Sequence, residues 1–275
     1  EEEFVRDLNV FSDLKFRASY GETGNQGIGS YASLSKLVVF NYPFGGGLST
    51  GLADDYYAGP ANDQLKWETT IAYNLGLDMS FLNNRLNFHF DVYKKTTNDL
   101  LQNVTIPSST GFGTRLVNSG SIENKGLEVV VEGAIIKQKD LNWNTNFNIS
   151  WNRNKILNLG SDVEKQFAAN ISTSDNPYIQ VAGKPIGSVY GYVEDGFYDN
   201  EAEVRNDPAF SNQPDAIIRG KVGEIKYKDL DGVPGITEAD RTFIGDVNPK
   251  FIFGFTNNIS YRNFDLSIFV NGSQG

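Results

Sequence analysis

Residues 67–92 read WETTIAYNLGLDMSFLNNRLNFHFDV, and the alternation inside that stretch decides the fold. The odd positions of its first half are Trp67, Thr69, Ile71, Tyr73, Leu75, Leu77, Met79 and Phe81, and the even ones are Glu68, Thr70, Ala72, Asn74, Gly76, Asp78 and Ser80. A period of two places these sets on opposite faces of a strand, one greasy and one polar. Asn83 and Asn84 suit a tight turn because Asn tolerates a positive φ. The alternation then resumes as Leu86, Phe88, Phe90 and Val92 against Asn87, His89 and Asp91. Strands of soluble sheets usually run ~5–6 residues; these are longer and reach the ~9–11 that a tilted strand needs to cross a bilayer. The stretch predicts a hairpin with one face for lipid and one for water.

Composition supports strands over helices. Among 275 residues only 39% are hydrophobic, and no run approaches the ~18 apolar residues of a membrane helix, which excludes a helical membrane protein. The 19 Phe, 13 Tyr and 28 Gly suit strands, turns and interfacial girdles. A formal charge of −10 argues against nucleic acid as a partner, because phosphate contacts need clustered Lys and Arg. Acidic loops can instead hold divalent cations. The absence of Cys removes disulfides, thiol nucleophiles and thiolate metal sites together. The sequence opens at Glu1 without a signal peptide, so for an exported protein it is expected to be a mature or internal segment.

Outward from the hairpin the same pattern recurs. After an acidic start, Leu14, Phe16 and Ala18 alternate with Lys15, Arg17 and Ser19, which predicts a first strand. Residues 21–60 carry the triplet Gly45, Gly46, Gly47 and predict a long loop with one short element at 34–40. A loop rich in Ser, Thr and Gly is expected at 106–120. Leu127, Val129, Val131 and Ile135 then alternate with Glu128, Val130, Glu132 and Ala134. Past a turn at 137–140, Trp143, Thr145, Phe147, Ile149 and Trp151 face away from Asn144, Asn146, Asn148, Ser150 and Asn152. A last hairpin runs from Phe251 through Arg262 and Asn263 to Val270. About seven long strands are expected, with short turns near 83, 137 and 262 alternating with long connections after 21, 99 and 157. The segment 157–249 is too long for a simple connection. Short turns at one end and long loops at the other are the asymmetry of a transmembrane barrel. A soluble β-sandwich also alternates its faces, but it needs Greek-key crossings that plain up-and-down hairpins do not show.

Several stretches carry a family resemblance: LKFRASYGETGN at 14–25, NSGSIENKGLE at 118–128, GKPIGSVYGY at 183–192, FGFTNNISY at 253–261 and FDLSIF at 264–269. In this order they resemble the C-terminal barrel region of SusC/RagA-type TonB-dependent outer-membrane transporters, over nearly the whole of 1–275. The resemblance implies an all-β, antiparallel up-and-down segment of a transmembrane β-barrel in the outer membrane, in contact with its lipid, with short periplasmic turns and long extracellular loops. It implies import of oligosaccharides or peptides, energy from TonB through parts not present in 1–275, and a SusD-like surface lipoprotein as partner. No plug domain or TonB-contacting box is found in the sequence, and the family's barrel continues past the strand that ends near Gly275. The segment 157–249 is expected to be an extracellular loop region that recognises cargo or docks the partner. The alternative is a soluble or surface-attached β-rich module that stacks Tyr and Trp on carbohydrate.

Catalysis finds little support. The single His, His89, lies mid-strand on a polar face, where a hydrated wall residue is expected rather than a triad base. Glu128 and Glu132 sit four residues apart on a strand, about 13 Å at ~3.3 Å per residue, too far for a retaining glycosidase pair. Gly183, Lys184 and Pro185 lack the rest of a phosphate loop. No enzymatic activity is expected. One acidic stretch, 229–240, has the spacing of an EF-hand-like loop, with Asp229 at position one, Asp231 at three, Ile236 at eight and Asp240 at twelve. Val233 and Pro234 stand at positions five and six, where an oxygen ligand and a Gly are usual, so the loop resembles a degenerate version of one common in SusC-like chains. A weak calcium site at Asp229, Asp231 and Asp240 is the expectation, set against an acidic turn held by backbone hydrogen bonds.

Overall fold

The computed structural model describes residues 10–160, 165–167 and 177–275. The acidic start at 1–9 and parts of the 157–249 segment, 161–164 and 168–176, lie outside the described residues. The chain divides into two compact units, residues 10–160 with Pro249–Gly275, and Lys165–Asn248.

The first unit is built on long strands. In chain order they are β1 (Asp13–Asn25), β2 (Leu37–Phe44), β3 (Gly47–Asp54), β4 (Glu68–Phe81), β5 (Leu86–Asn98), β6 (Leu101–Thr105), β7 (Thr114–Asn118), β8 (Ser121–Lys137) and β9 (Leu141–Asn158). The second unit follows with β10 (Lys165–Phe167), β11 (Tyr178–Val181), β12 (Ser188–Gly191), β13 (Glu194–Phe197), α1 (Glu201–Asn206), α2 (Asp215–Lys221), β14 (Ile225–Tyr227) and β15 (Thr242–Asp246). The chain then returns to the first unit with β16 (Phe251–Tyr261) and β17 (Phe264–Gln274).

Seven strands form one antiparallel sheet in the order β1-β4-β5-β8-β9-β16-β17, with every neighbour the next long strand in sequence. This is the up-and-down arrangement that the hairpins predict. Register carries the two-faced pattern across the sheet. Leu77 pairs with Phe90, Phe90 with Val129, Val129 with Ile149 and Ile149 with Phe253, so one row is apolar through five strands. The adjacent row, Gly76, Asp91, Glu128 and Ser150, is polar through four. A one-residue slip would exchange the faces, so the alternation pins the register.

The sheet is a single layer and is not closed into a barrel within this chain. Among the described residues of this unit no second sheet covers its greasy face: Leu75 and Val92 are 53% exposed and Leu266 54%. A sandwich would bury that face. A contiguous apolar face of this size instead marks a surface built to meet lipid or another body.

The turns and loops take their form from local chemistry. Leu82, Asn83 and Asn84 all have positive φ in the β4–β5 turn, as does Arg262 between β16 and β17. The 21–60 stretch differs from expectation in two ways. β1 continues to Asn25, and the Gly triplet, with Gly45 and Gly46 at positive φ, turns a complete hairpin of β2 and β3 rather than flanking one short element. The 106–120 loop likewise contains β7, which pairs with β6.

The second unit has its own small core, Tyr198, Val204 and Ile218, with Phe210 packed against it. α1 starts where the Asn200 side chain accepts the Glu203 amide at 3.0 Å and Glu201 and Glu203 place charge at the positive end of the helix. It ends before Pro208, which cannot continue a helix. α2 carries Asp215 in its first turn and Arg219 and Lys221 in its last. β10, β11, β12 and β15 form a four-stranded sheet and β13 pairs with β14.

Candidate functional site

The acidic stretch folds as the turn-rich link between β14 and β15. Gly232 and Gly235 adopt φ of 75° and 104° on either side of Val233 and Pro234. They supply the left-handed turns that Pro at position six cannot. At its end Thr237 and Asp240 form a reciprocal cap on a short 3-10 turn. Asp240 is fully buried, and one oxygen, Oδ1, accepts the Leu230 amide at 2.8 Å and the Asp231 amide at 3.4 Å. The other, Oδ2, accepts the Thr237 amide at 2.7 Å and the Thr237 hydroxyl at 3.3 Å. These donors, the Thr237 and Leu230 amides above all, hold the Asp240 carboxyl below the usual carboxylate range despite the opposing effect of burial.

Asp229, Asp231 and Asp240 come together as the spacing predicts, with one carboxylate oxygen from each within 4.8 Å of the others. Their roles differ. Asp229 Oδ1 accepts the Gly232 amide at 2.6 Å and Asp231 Oδ1 the Val233 amide at 2.8 Å. Among the described residues the Oδ2 atoms of Asp229 and Asp231 accept no hydrogen bond, whereas the four acceptor positions of Asp240 are engaged. Calcium takes six to eight oxygens, and Val233 contributes no side-chain oxygen. The donor set therefore offers two open carboxylate oxygens and one buried carboxylate committed to the loop.

The polar face of the large sheet holds the second constellation. Arg17 reaches from β1 over β4 to β5. Its Nε and Nη2 donate to Asp78 at 2.9 Å each, and Nη1 and Nη2 donate to Asp91 at 2.9 Å each. His89 Nδ1 lies 2.9 Å from Asp78 Oδ1, so the single histidine is a member of this network. Glu132 accepts from Asn146 at 3.0 Å on the same face. Sequence reading placed Asp78, His89 and Asp91 on the polar face but missed Arg17 as their tie. The available signal was Gly76, a glycine inside a strong strand, which often marks the close approach of another group.

A single-layer, up-and-down antiparallel sheet with one apolar face, one hydrogen-bonded polar face and short turns at one end is a segment of a transmembrane β-barrel wall. Residues 8–216 match the family model for the TonB dependent receptor-like β-barrel, and the chain belongs to that family. It is 36% identical to TonB-dependent receptor P3 of Formosa agariphila over 277 residues, covering 100% of this chain and 27% of that one. It is 34% identical to TonB-dependent receptor SusC of Bacteroides thetaiotaomicron over 289 residues, covering 99% of this chain and 26% of that one. Among solved structures, the RagAB peptide transporter superposes with a TM-score of 0.76 at 27% identity, covering 98% of this chain and 27% of that chain. The RagAB peptide importer in its open-open state superposes with a TM-score of 0.77. The chain is a SusC/RagA-type transporter segment and spans about a quarter of the length of the relatives it matches. The family match decides against the soluble-module alternative.

Proposed function

We propose that this chain forms part of the wall and mouth of an outer-membrane barrel that imports oligosaccharides or peptides with energy delivered through TonB, in partnership with a SusD-like surface lipoprotein. The two-faced register of the seven-stranded sheet carries this reading. Its apolar rows suit lipid, its Asn-, Asp- and Glu-bearing rows suit a wet lumen, and the remaining strands and the energy-coupling parts come from the rest of a longer protein. The second unit, Lys165–Asn248, falls within the long connection between β9 and β16, and on this reading that connection is extracellular. Catalysis has no part in the proposal.

The test uses the full-length receptor in its own cells. Fluorescent oligosaccharides and peptides are offered with and without TonB, and uptake of one class that disappears when TonB is depleted supports import. Uptake indifferent to TonB overturns it. Surface proteolysis should cut between 165 and 248 and spare the turns at Asn83 and Arg262; the reverse pattern overturns the sidedness. Co-purification of a surface lipoprotein checks the partner.

For the acidic loop we propose weak calcium binding through Asp229 and Asp231, with Asp240 chiefly holding the loop. The convergence of the three carboxylates supports it. Calorimetric titration of the receptor with calcium, repeated on Asp231→Ala and Asp240→Ala, tests it; unchanged heats in all three proteins mean no site.

A further inference from the structure

A cavity of about 850 Å³ opens in the second unit beside the acidic loop. One part of its lining is the turn Pro208, Ala209 and Phe210, which follows α1. Another is the acidic loop itself, through Leu230, Pro234 and Ile236. The two segments approach at Ala209 and Gly235, where a methyl group added to Gly235 would stand 4.0 Å from the Ala209 side chain. Pro234 therefore has a use: the position that fails as a calcium-loop glycine supplies apolar wall.

The charged part of the lining is unbalanced. Lys226 is neutralised by Glu203 at 2.9 Å and Asp195 at 3.8 Å. Asp207 accepts the Tyr198 hydroxyl at 2.5 Å and the Ala209 amide at 2.8 Å. Asp195, Glu203, Asp207 and Asp229 outnumber Lys226 and Lys228 in the lining, so the cavity repels anions. Asp195 keeps 47% of its side chain exposed and has Lys226 only at the longer distance.

The geometry points to this cavity as a binding site for the basic side chain of a peptide, arginine or lysine. Such a side chain is amphipathic, with an aliphatic stem and a charged head. The proline, alanine, leucine and isoleucine surfaces accept the stem, and the surplus carboxylates accept the head. A guanidinium also gains from pairing with a carboxylate through two parallel hydrogen bonds. This assignment rests on the import reading above and names the side-chain chemistry that the second unit would select.

The test uses the purified full-length receptor in detergent, with chelator present to remove calcium. The probes are acetyl-Leu-Arg-Leu-amide, the same peptide with citrulline, which keeps shape and loses charge, and the same peptide with glutamate. Binding is followed by saturation-transfer NMR and calorimetry. The arginine peptide should bind at least ten-fold more tightly than the citrulline peptide, weaken as salt rises, and weaken several-fold in Asp195→Asn. Ala209→Trp, which fills the cavity, should abolish binding while hydrogen exchange shows the unit still folded. Equal binding of arginine and citrulline peptides, binding by none, or an arginine preference that survives Ala209→Trp overturns the assignment. TonB-dependent uptake measured on the same variants reports separately on the import reading.

Discussion

The guanidinium of Arg17 lies directly over Gly76: a methyl group at that glycine would stand 2.5 Å from Arg17 Cζ. The two residues are paired in register between β1 and β4, and Gly76 is paired in turn with Asp91 of β5. The missing side chain is what lets Arg17 cross a whole strand to reach Asp91. Gly76→Ala should therefore break the Asp91 contact and lower the denaturant midpoint of the full-length barrel. In the Arg17→Ala background the same change should cost little, since nothing remains to clash. A double-mutant cycle measures the difference, and purely additive effects would show that the two residues do not act together.

Sidedness is tested by paired substitutions. Leu77 belongs to the apolar row with Phe90, and Asn148 pairs with Val130 and Gly254 on the other face. Leu77→Arg should cost roughly 2–4 kcal/mol near the membrane midplane, while Asn148→Arg should be tolerated. Folding titrations into lipid vesicles check this, and equal costs would contradict the assignment of faces.

The core of the second unit is small enough for one residue to matter. Ile218 is fully buried beside Val204 and Tyr198. Ile218→Ala removes most of that side chain and should cost about 2–5 kcal/mol, as such truncations do in packed cores. Hydrogen exchange should rise across residues 198–227 and stay unchanged in β8 and β9.

Acid should loosen the same unit through Asp240. Its folded pKa is depressed by the backbone amides it caps, so its contribution is present above the ordinary aspartate pKa of about 3.9. That contribution is lost as pH falls through the lower folded value. Asp240→Asn, with one acceptor oxygen in place of two, should raise exchange at the Leu230 and Thr237 amides at neutral pH. It should also flatten their pH dependence below about 4. A pH profile identical to that of the parent protein would remove Asp240 from this role.

The alternation of Leu75, Leu77 and Met79 with Asn74, Gly76 and Asp78 determined by itself that these strands exist, where they turn and which side chains share a face. It could do so because the two faces meet different surroundings, and a strand has a period of two that sequence displays directly. The spacing of Asp229, Asp231 and Asp240 likewise determined that three carboxylates meet. Only the tertiary structure decided that Asp240 is the buried hub and that the open oxygens belong to Asp229 and Asp231, because the donors that claim Asp240 are backbone amides of Leu230 and Thr237, which carry no side-chain signature. The same holds for Arg17: its partners lie 61 and 74 residues away, and strand pairing, not local pattern, brings them within reach. Within Lys165–Asn248 the short strands and the helices of six and seven residues are too brief to show a period, so their existence rests on the small core around Ile218 and, for α1, on the Asn200 cap.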